Sequence, residues 1–335
     1  MKLFLRLLKL GCLVFIVLSA IALWTLYTVL VPADPERKRQ PEAVEITAGA
    51  TGADVAAELE KRGLIRSAFG FRLLLRYRGQ STQLRSGYYE IDPSLPAIRI
   101  FEKLALGQTL TRKATFPEGL TKEQMAQILQ ESEVASGEDF LKLARNEGKE
   151  FGPQYPLDLE GYLFPDTYEF PWKCSAAQVV QAMLHQFETV AGPVWEKHKA
   201  KAPLALKETV ILASMVEREA QVDSERPLIA GVYVNRLKAG MPLQCDATVQ
   251  YALGKPKAVL QYKDLEVESP YNTYKYPGLP PGPICNPGIA ALEAAMNPAP
   301  SDYLYYVRND VKGDGSHVFS RTYGEHQQAI GKFQR

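Results

Sequence analysis

One predicted helix carries a carboxylate among its apolar residues. Residues 209–220 (TVILASMVEREA) have a helical period, and at about 100° per residue Leu212, Met215 and Glu219 fall on the same face. An ionised carboxylate among aliphatic side chains is costly, so such a group has either a raised pKa or a tight partner. A carboxylic acid that stays protonated near neutral pH is suited to general acid catalysis. Glu219 is therefore our candidate catalytic residue.

The two glutamates of this helix also allow a structural interpretation. Glu219 lies near the predicted helix end, where it either pairs with an arginine or reaches water. Glu217 falls on the opposite, solvent-facing side, and we expect it to be a solvated or paired surface charge.

Polar and aromatic loops follow this helix. They cover residues 241–251, then 269–274 with the Pro- and Gly-rich segment 278–288, and finally 303–307 with 316–319. Rigid turns that hold Tyr, Asn and Gln are typical of a sugar-binding cleft, because aromatic faces stack on pyranose rings and amides hydrogen-bond hydroxyls. The alternative is that the tyrosines fill core and turn positions. The candidate contact residues are Gln244, Asp246, Thr248, Tyr251, Tyr271, Asn272 and Tyr274.

Three acidic residues outside the helix are further candidates for this cleft. Glu160 and Asp166 flank an aromatic turn, where they either line the cleft or hold the loop. Asp246 is a candidate for substrate contact or for orienting Glu219.

The N-terminal region predicts a membrane anchor. Residues 10–31 are 22 residues without a charge, and such a helix spans roughly 33 Å, enough to cross a bilayer core. Residues 1–9 carry three basic residues and no acidic one, so the positive-inside rule places them in the cytoplasm and the rest of the chain outside. A cleaved signal peptide is the alternative, because small residues occur at Ser19, Ala20 and Ala22. The apolar run continues well past them, which favours an uncleaved single-pass anchor in the cell (inner) membrane.

Composition excludes several classes of function. Without residues 1–9 the chain has 36 Lys and Arg against 38 Asp and Glu, dispersed along its length. There is no basic stripe, zinc-type Cys/His spacing or Gly-rich phosphate loop, so we expect no nucleic acid, metal or nucleotide cofactor. Three cysteines lie outside the membrane. Either Cys245 and Cys285 form one disulfide, or these two and Cys174 are all reduced and buried.

The pattern of elements predicts an α+β fold in two folded parts. A charged, Pro-rich linker at 32–42 precedes a small α+β module at 43–111 and a larger α+β domain at 112–335. In the module we expect strands at 44–46 and 86–91 and helices at 55–62, 67–77 and 98–104. In the larger domain we expect helices at 122–131, 175–199, 206–220 and 227–237.

Seven short motifs occur in order across the larger domain. They are PEG at 117–119, EGYLFPDTY at 160–168, ASMVERE at 213–219, VNRL at 234–237, LQCDATV at 243–249, YNTY at 271–274 and GLPPG at 278–282. Together they resemble the membrane-bound endolytic murein transglycosylases of the YceG (MltG) type, over the whole chain from the anchor onward. The chain departs from the common family pattern at Cys245 and Ala247, where Thr and Pro are frequent, which puts the local loop geometry in doubt.

The resemblance implies a LysM-like module at 43–111 and a lysozyme-like active-site helix in a catalytic domain at 112–335. It implies cleavage of the MurNAc–GlcNAc β-1,4 bond within nascent glycan strands. The catalytic acid of the family is the second Glu of its E-x-E pair, which corresponds to Glu219. Peptidoglycan is then the substrate, peptidoglycan synthases are candidate partners, and no cofactor is required.

A transglycosylase needs one carboxyl group where glycoside hydrolases use two. Protonated Glu219 would donate to the glycosidic oxygen and then accept the proton of the MurNAc C6 hydroxyl as it attacks C1, leaving a 1,6-anhydro end. If Asp246 were a second catalytic carboxylate, the products would instead have reducing ends, as with a lysozyme-type muramidase. A non-catalytic peptidoglycan-binding scaffold is the alternative from another class, and it would tolerate loss of Glu219.

Overall fold

The computed structural model describes residues 2–78, 84–254, 257 and 259–334. The chain mixes helices with short strands, as predicted, and begins with an apolar helix. It divides into two compact units. The first contains the chain up to Arg112 together with Glu169–Cys174, and the second contains Lys113–Tyr168 together with the chain from Ser175 onward.

Helix α1 (Lys2–Leu30) contains the predicted anchor. Its segment Leu7–Leu30 is, by length and composition, long and apolar enough to cross a membrane. The large apolar side chains along this segment are mostly exposed, for example Phe15 and Leu23. The helix begins at Lys2, so the residues expected to form a separate tail continue directly into the span.

The first unit packs three helices against a two-stranded antiparallel sheet. Its elements are β1 (Glu42–Ile46), α2 (Gly52–Lys61), α3 (Ala68–Tyr77), β2 (Gly87–Ile91) and α4 (Ala97–Ala105). Thr51 and Ser67 cap the two first helices, since each side chain accepts a hydrogen bond from a backbone N–H of the first turn. Residues 79–83 of the predicted module lie outside the described residues.

Strands β3 (Thr111–Thr115) and β4 (Thr167–Pro171) form a second two-stranded sheet. Each of these strands carries the chain from one unit into the other.

The second unit is mainly helical. Its elements are α5 (Lys122–Glu131), α6 (Gly137–Asn146), α7 (Ala176–His198), α8 (Leu206–Glu219), α9 (Arg226–Lys238), α10 (Asp246–Leu253), α11 (Ile289–Met296), β5 (Tyr305–Arg308), β6 (His317–Ser320) and α12 (Tyr323–Phe333). Strands β5 and β6 form an antiparallel hairpin. The predicted helices at 122–131, 175–199, 206–220 and 227–237 are confirmed to within one or two residues at each end.

The middle of helix α8 is buried on every side, whereas Lys207, Glu208 and Arg218 near its ends are exposed. All residues from Thr209 to Val216 are buried, so the predicted amphipathic helix with one solvent-facing side is wrong. Glu217 shows the consequence, because its side chain is only 7% exposed and pairs with Arg226 at 3.4 Å. Its second carboxylate oxygen accepts a hydrogen bond from the backbone N–H of Gly288 at 3.1 Å. The expected surface charge is thus a buried, paired one.

Two of the predicted loops are regular structure. Residues 246–251 of the first loop belong to α10, where Asp246 supplies a negative charge in the first turn of the helix. The segments at 303–307 and 316–319 contain β5 and β6, whose tyrosines and valines suit a strand. The segment 269–288 does lack helices and strands.

Candidate active site

Glu219 is the last residue of α8 and lies partly buried where the helix ends. Ala220 is extended and stops the helix. The Glu219 carboxylate accepts hydrogen bonds at both oxygens, from Cys245 Sγ to Oε1 at 3.2 Å and from Tyr306 OH to Oε2 at 3.1 Å. Within the described ranges it forms no ion pair, so the arginine partner considered above is not there.

The environment of Glu219 favours its protonated form. Burial raises the pKa of the carboxyl group, and the negative charge of Asp246 raises it further. The hydrogen bonds from Cys245 and Tyr306 and the nearby His317 act in the opposite direction, but the pKa stays above its usual range. The position at the C-terminus of a helix adds to this, because the partial negative charge there opposes a carboxylate. Glu219 can therefore hold a proton to give to a substrate.

Tyr306 belongs to a chain of polar contacts behind Glu219. Its hydroxyl also contacts that of Tyr233, on the buried side of α9, at 2.8 Å. The edge of the His317 ring contacts the Tyr306 ring at 5.3 Å between centroids, and His317 Nδ1 lies 2.8 Å from Glu225 Oε2. Sequence reasoning placed Tyr306 in a sugar-binding loop and did not single out Tyr233. No local sequence pattern places either tyrosine at the site. Tyr306 is 87 residues from Glu219, and Tyr233 is linked to the site through its contact with Tyr306.

Cys245 reaches Glu219 from the turn before α10. Its backbone N–H donates to Thr273 Oγ1 at 2.9 Å, and the preceding residue, Gln244, is exposed and has a left-handed φ of 52°. Cys245 is a free thiol and so is Cys285, whose Sγ contacts Ser214 O at 3.3 Å. The disulfide considered from the sequence is therefore absent. Both thiols are buried, whereas Cys174 is only partly buried.

Asp246 is the other acidic residue near Glu219. It is exposed, and its Oδ1 accepts a hydrogen bond from Tyr274 OH at 2.5 Å. This hydrogen bond links two of the candidates taken from the sequence, and Asp246 lies near enough to Glu219 for its charge to raise the Glu219 pKa.

Glu160 holds a loop. It is buried, its Oε1 accepts hydrogen bonds from Asn286 Nδ2 at 2.7 Å and from the Lys122 backbone N–H at 3.1 Å, and burial raises its pKa to about 8. Asn286 in turn accepts hydrogen bonds at Oδ1 from the backbone N–H groups of Gly161 and Leu163. These contacts favour the interpretation that Glu160 holds the loop, and Asn286 is a further residue of the network that sequence reasoning missed.

Two more candidates brace the backbone. Thr248 is buried and donates to Cys245 O at 2.7 Å. Asn272 is buried and donates to the carbonyl oxygens of Leu265 and Val267. Their side chains form hydrogen bonds within the fold, and the interpretation of Thr248 and Asn272 as sugar contacts stays a prediction.

The remaining candidates lie nearer the surface. Asp166 is exposed and accepts a hydrogen bond from Gln186 Nε2 at 2.7 Å. Tyr251 and Tyr271 are partly buried and contact each other at 4.9 Å between ring centroids. Across the described residues, no group of three or more His, Cys, Asp and Glu side chains is arranged to hold a metal ion.

The second unit thus combines helices with short strands, and it carries a carboxyl group with a raised pKa at the end of a mostly buried helix. The YceG-like family model matches residues 44–332, and the chain belongs to that family. It is 34% identical over 307 residues to an endolytic murein transglycosylase of Bacillus subtilis, covering 87% of this chain and 84% of the relative. An endolytic murein transglycosylase of Streptococcus pneumoniae is 31% identical over 318 residues, which is 85% of this chain and 57% of the relative.

A solved structure is also similar. The crystal structure of a YceG-like protein from Listeria monocytogenes matches with a TM-score of 0.59 and 34% identity. The match covers 87% of this chain and 99% of that protein.

Proposed function

We propose that this chain is a membrane-anchored endolytic lytic transglycosylase that cleaves MurNAc–GlcNAc β-1,4 bonds within peptidoglycan strands. Membership of the YceG-like family and relatives named for this activity support the proposal. The observation that carries it is Glu219, a carboxyl group with a raised pKa and one hydrogen-bond donor at each oxygen.

In the first step, protonated Glu219 donates its proton to the glycosidic oxygen as the bond from that oxygen to C1 of MurNAc breaks. The ionised carboxylate that results is stabilised by the Cys245 and Tyr306 donors. In the second step it accepts the proton of the MurNAc C6 hydroxyl while O6 bonds to C1. The product is a 1,6-anhydro end, no water is consumed, and Glu219 is protonated again.

Asp246 has a different role in this scheme. Its carboxylate is exposed and hydrogen-bonded to Tyr274. A fixed negative charge there stabilises the positive charge that develops at C1 in the oxocarbenium-like transition state. The same negative charge raises the pKa of Glu219 and so favours the protonated form of that acid. Activation of water by Asp246 would make the protein a muramidase, which is the rival function.

The domain assignments complete the proposal. We assign residues 1–9 to the cytoplasm, 10–31 to the membrane and 32–42 to a linker. Residues 43–111 form the LysM-like module, and residues 112–335 form the catalytic domain, with α8 as its lysozyme-like active-site helix. Synthases of peptidoglycan are the partners we expect near the membrane.

The test is mass spectrometry of peptidoglycan glycan strands digested by the full chain in detergent. We expect 1,6-anhydro-MurNAc ends from the wild type, and at least a hundredfold fewer from Glu219→Gln because the variant lacks the proton donor. Glu138→Gln changes an exposed glutamate of α6 and serves as the matched control.

Each other result has a distinct meaning. Products heavier by one water would replace the transglycosylase with a muramidase and direct attention to Asp246. Strands that bind to both proteins without being cut would favour a peptidoglycan-binding scaffold.

A further inference from the structure

A cavity of about 460 Å³ lies beside the end of α8. It is lined by the first turn of α5, by α10 and by Arg218, the residue directly before Glu219. Another lining residue, Ala247, directly follows Asp246. The volume falls within the range of about 300–1,000 Å³ that small-ligand sites have.

The cavity has an excess of positive charge. Its charged lining residues are Arg218, Arg145 and Glu123, and Arg145 is neutralised by Glu123 at 3.1 Å. Arg218 is exposed and donates from Nη1 to the carbonyl oxygen of Gly119 at 3.3 Å. Within the described part of the chain it has no carboxylate partner. A guanidinium has five N–H donors in a planar fork, so Arg218 keeps donors free for a carboxylate ligand.

The proposed substrate carries such groups close to the bond that is cut. In peptidoglycan the peptide stem hangs from the lactyl group on C3 of MurNAc, and C1 of the same ring is where the proposed reaction occurs. Because the lining residues Arg218 and Ala247 adjoin Glu219 and Asp246 in the chain, we expect the substituent of a MurNAc ring placed at Glu219 to point toward the cavity. At the α5 end of the cavity, Thr121 Oγ1 and Gln124 Oε1 accept the capping hydrogen bonds of the helix, and the Thr121 O–H and Gln124 Nε2 groups can donate to a peptide backbone.

We propose that this cavity binds the peptide stem of MurNAc, with Arg218 holding a stem carboxylate, so that the enzyme prefers peptide-bearing strands to denuded ones. This inference rests on the proposed function, because the substrate is peptidoglycan in both. A denuded strand keeps a free lactyl carboxylate on the ring. This carboxylate is the alternative ligand that Arg218 could bind.

The experiment compares the full chain with Arg218→Gln on peptide-bearing strands and on strands whose stems an amidase has removed. We expect KM for the peptide-bearing strands to rise about tenfold, which corresponds to about 1.4 kcal/mol, with kcat within twofold of wild type. Activity on denuded strands should change less than twofold. Arg321→Gln, an exposed arginine outside this cavity, is the matched control.

A second variant separates ligand binding from any structural role of Arg218. Ala247→Leu fills the cavity without touching the hydrogen bond to Gly119, and it should raise the same KM on peptide-bearing strands alone. An equal rise on both substrates would overturn the proposal in favour of the lactyl carboxylate. No rise on either substrate would exclude a role of the cavity in substrate binding.

A measurement of binding affinity tests the stem site independently of the proposed catalytic activity. In a Glu219→Gln background, adding Arg218→Gln should weaken the affinity for peptide-bearing strands about tenfold and leave that for denuded strands unchanged. If wild type makes no anhydro ends but this difference is found, the proposed function fails while the stem site stands. Equal affinities with and without Arg218 would refute the stem site even in an active enzyme.

Discussion

At the residue scale, the two donors on Glu219 differ in strength. The Tyr306 hydroxyl is a full hydrogen-bond donor, whereas the Cys245 thiol is a weak one. The Cys245 hydrogen bond opposes the pKa rise that burial produces in Glu219, and a stronger donor at this position would oppose it further. The thiol therefore contributes to the acidity of Glu219 through this hydrogen bond, and we assign Cys245 as a positioning residue.

Replacing this thiol should move the pH profile in two directions. Cys245→Ser supplies a stronger donor and lowers the pKa of Glu219, so the loss of activity that occurs as pH rises should begin at lower pH. Cys245→Ala removes the donor, so the loss of activity with rising pH should begin at higher pH. The measurement is the initial rate of anhydro-end formation from pH 4 to pH 9 for the three proteins, with a several-fold loss at pH 7 expected for Cys245→Ser.

Thermal unfolding of both variants provides the control for folding. If the pH at which activity is lost moves in the same direction in Cys245→Ser and Cys245→Ala, Cys245 acts through packing and not through its hydrogen bond.

At the scale of elements, much of the fold follows from local signals. Helix α5 begins where Thr121 and Gln124 form a capping box, and α7 begins at the capping box of Ser175 and Gln178. Such signals lie within four residues of each other, so they are visible in the sequence. Helix α10 has no side-chain cap on its first residues and follows a Pro-containing turn, which is why its polar sequence was predicted as a loop.

The site is less predictable than the helices that position it. Helical periodicity singled out Glu219 as a member of an apolar stripe, but the middle of α8 is buried on all sides, so no such stripe distinguishes it. Its partners Cys245 and Tyr306 come from 26 and 87 residues further along the chain. Contacts of this kind depend on how α8, α10 and β5 pack, and no local pattern encodes them. The motifs that resemble the family identified Glu219 as the candidate, whereas its partners Cys245 and Tyr306 are visible only in the structure.

The buried network of Glu160 belongs to this scale, because it joins the loop at 158–164 to α5 and to the segment before α11. Burial raises the pKa of Glu160 from 4.5 to about 8, so the folded state holds a proton that the unfolded chain loses above pH 4.5. The contribution of Glu160 to stability is then greatest at low pH and is lost as pH rises from about 4.5 through about 8. The slope for one proton is at most about 1.4 kcal/mol per pH unit.

Glu160→Gln tests this dependence, because the amide is close in shape but does not titrate. Between pH 5 and pH 8 the melting temperature of wild type should fall more than that of the variant, as measured by circular dichroism. The matched control, Glu138→Gln, alters an exposed glutamate and should keep the wild-type slope. Parallel curves for wild type and Glu160→Gln would mean that another group is responsible.

At the scale of the whole molecule, the proposed activity depends on where the chain is held. Helix α1 contains a 24-residue segment able to cross a membrane, and the family match begins after it, at residue 44. An uncleaved anchor would keep a wall-cutting domain at the membrane, where nascent strands emerge. A cleaved signal peptide would release the same domain. The two alternatives therefore predict different substrates in the cell, strands under synthesis or the mature wall.

The anchor makes a prediction about the mature protein. Because the apolar run continues for nine residues beyond Ala22, we expect the protein from bacterial membranes to retain the residues before Ala22, as seen by peptide mass spectrometry, and to resist carbonate extraction. Leu18→Arg with Ile21→Arg should abolish membrane retention, since each arginine at the centre of a span costs about 2.5–3.5 kcal/mol. Leu18→Ala with Ile21→Ala keeps the segment apolar and is the control. A mature chain that lacks its first 20 to 22 residues and is found in the soluble fraction would refute the anchor. In that case the proposed catalytic domain would act away from the membrane.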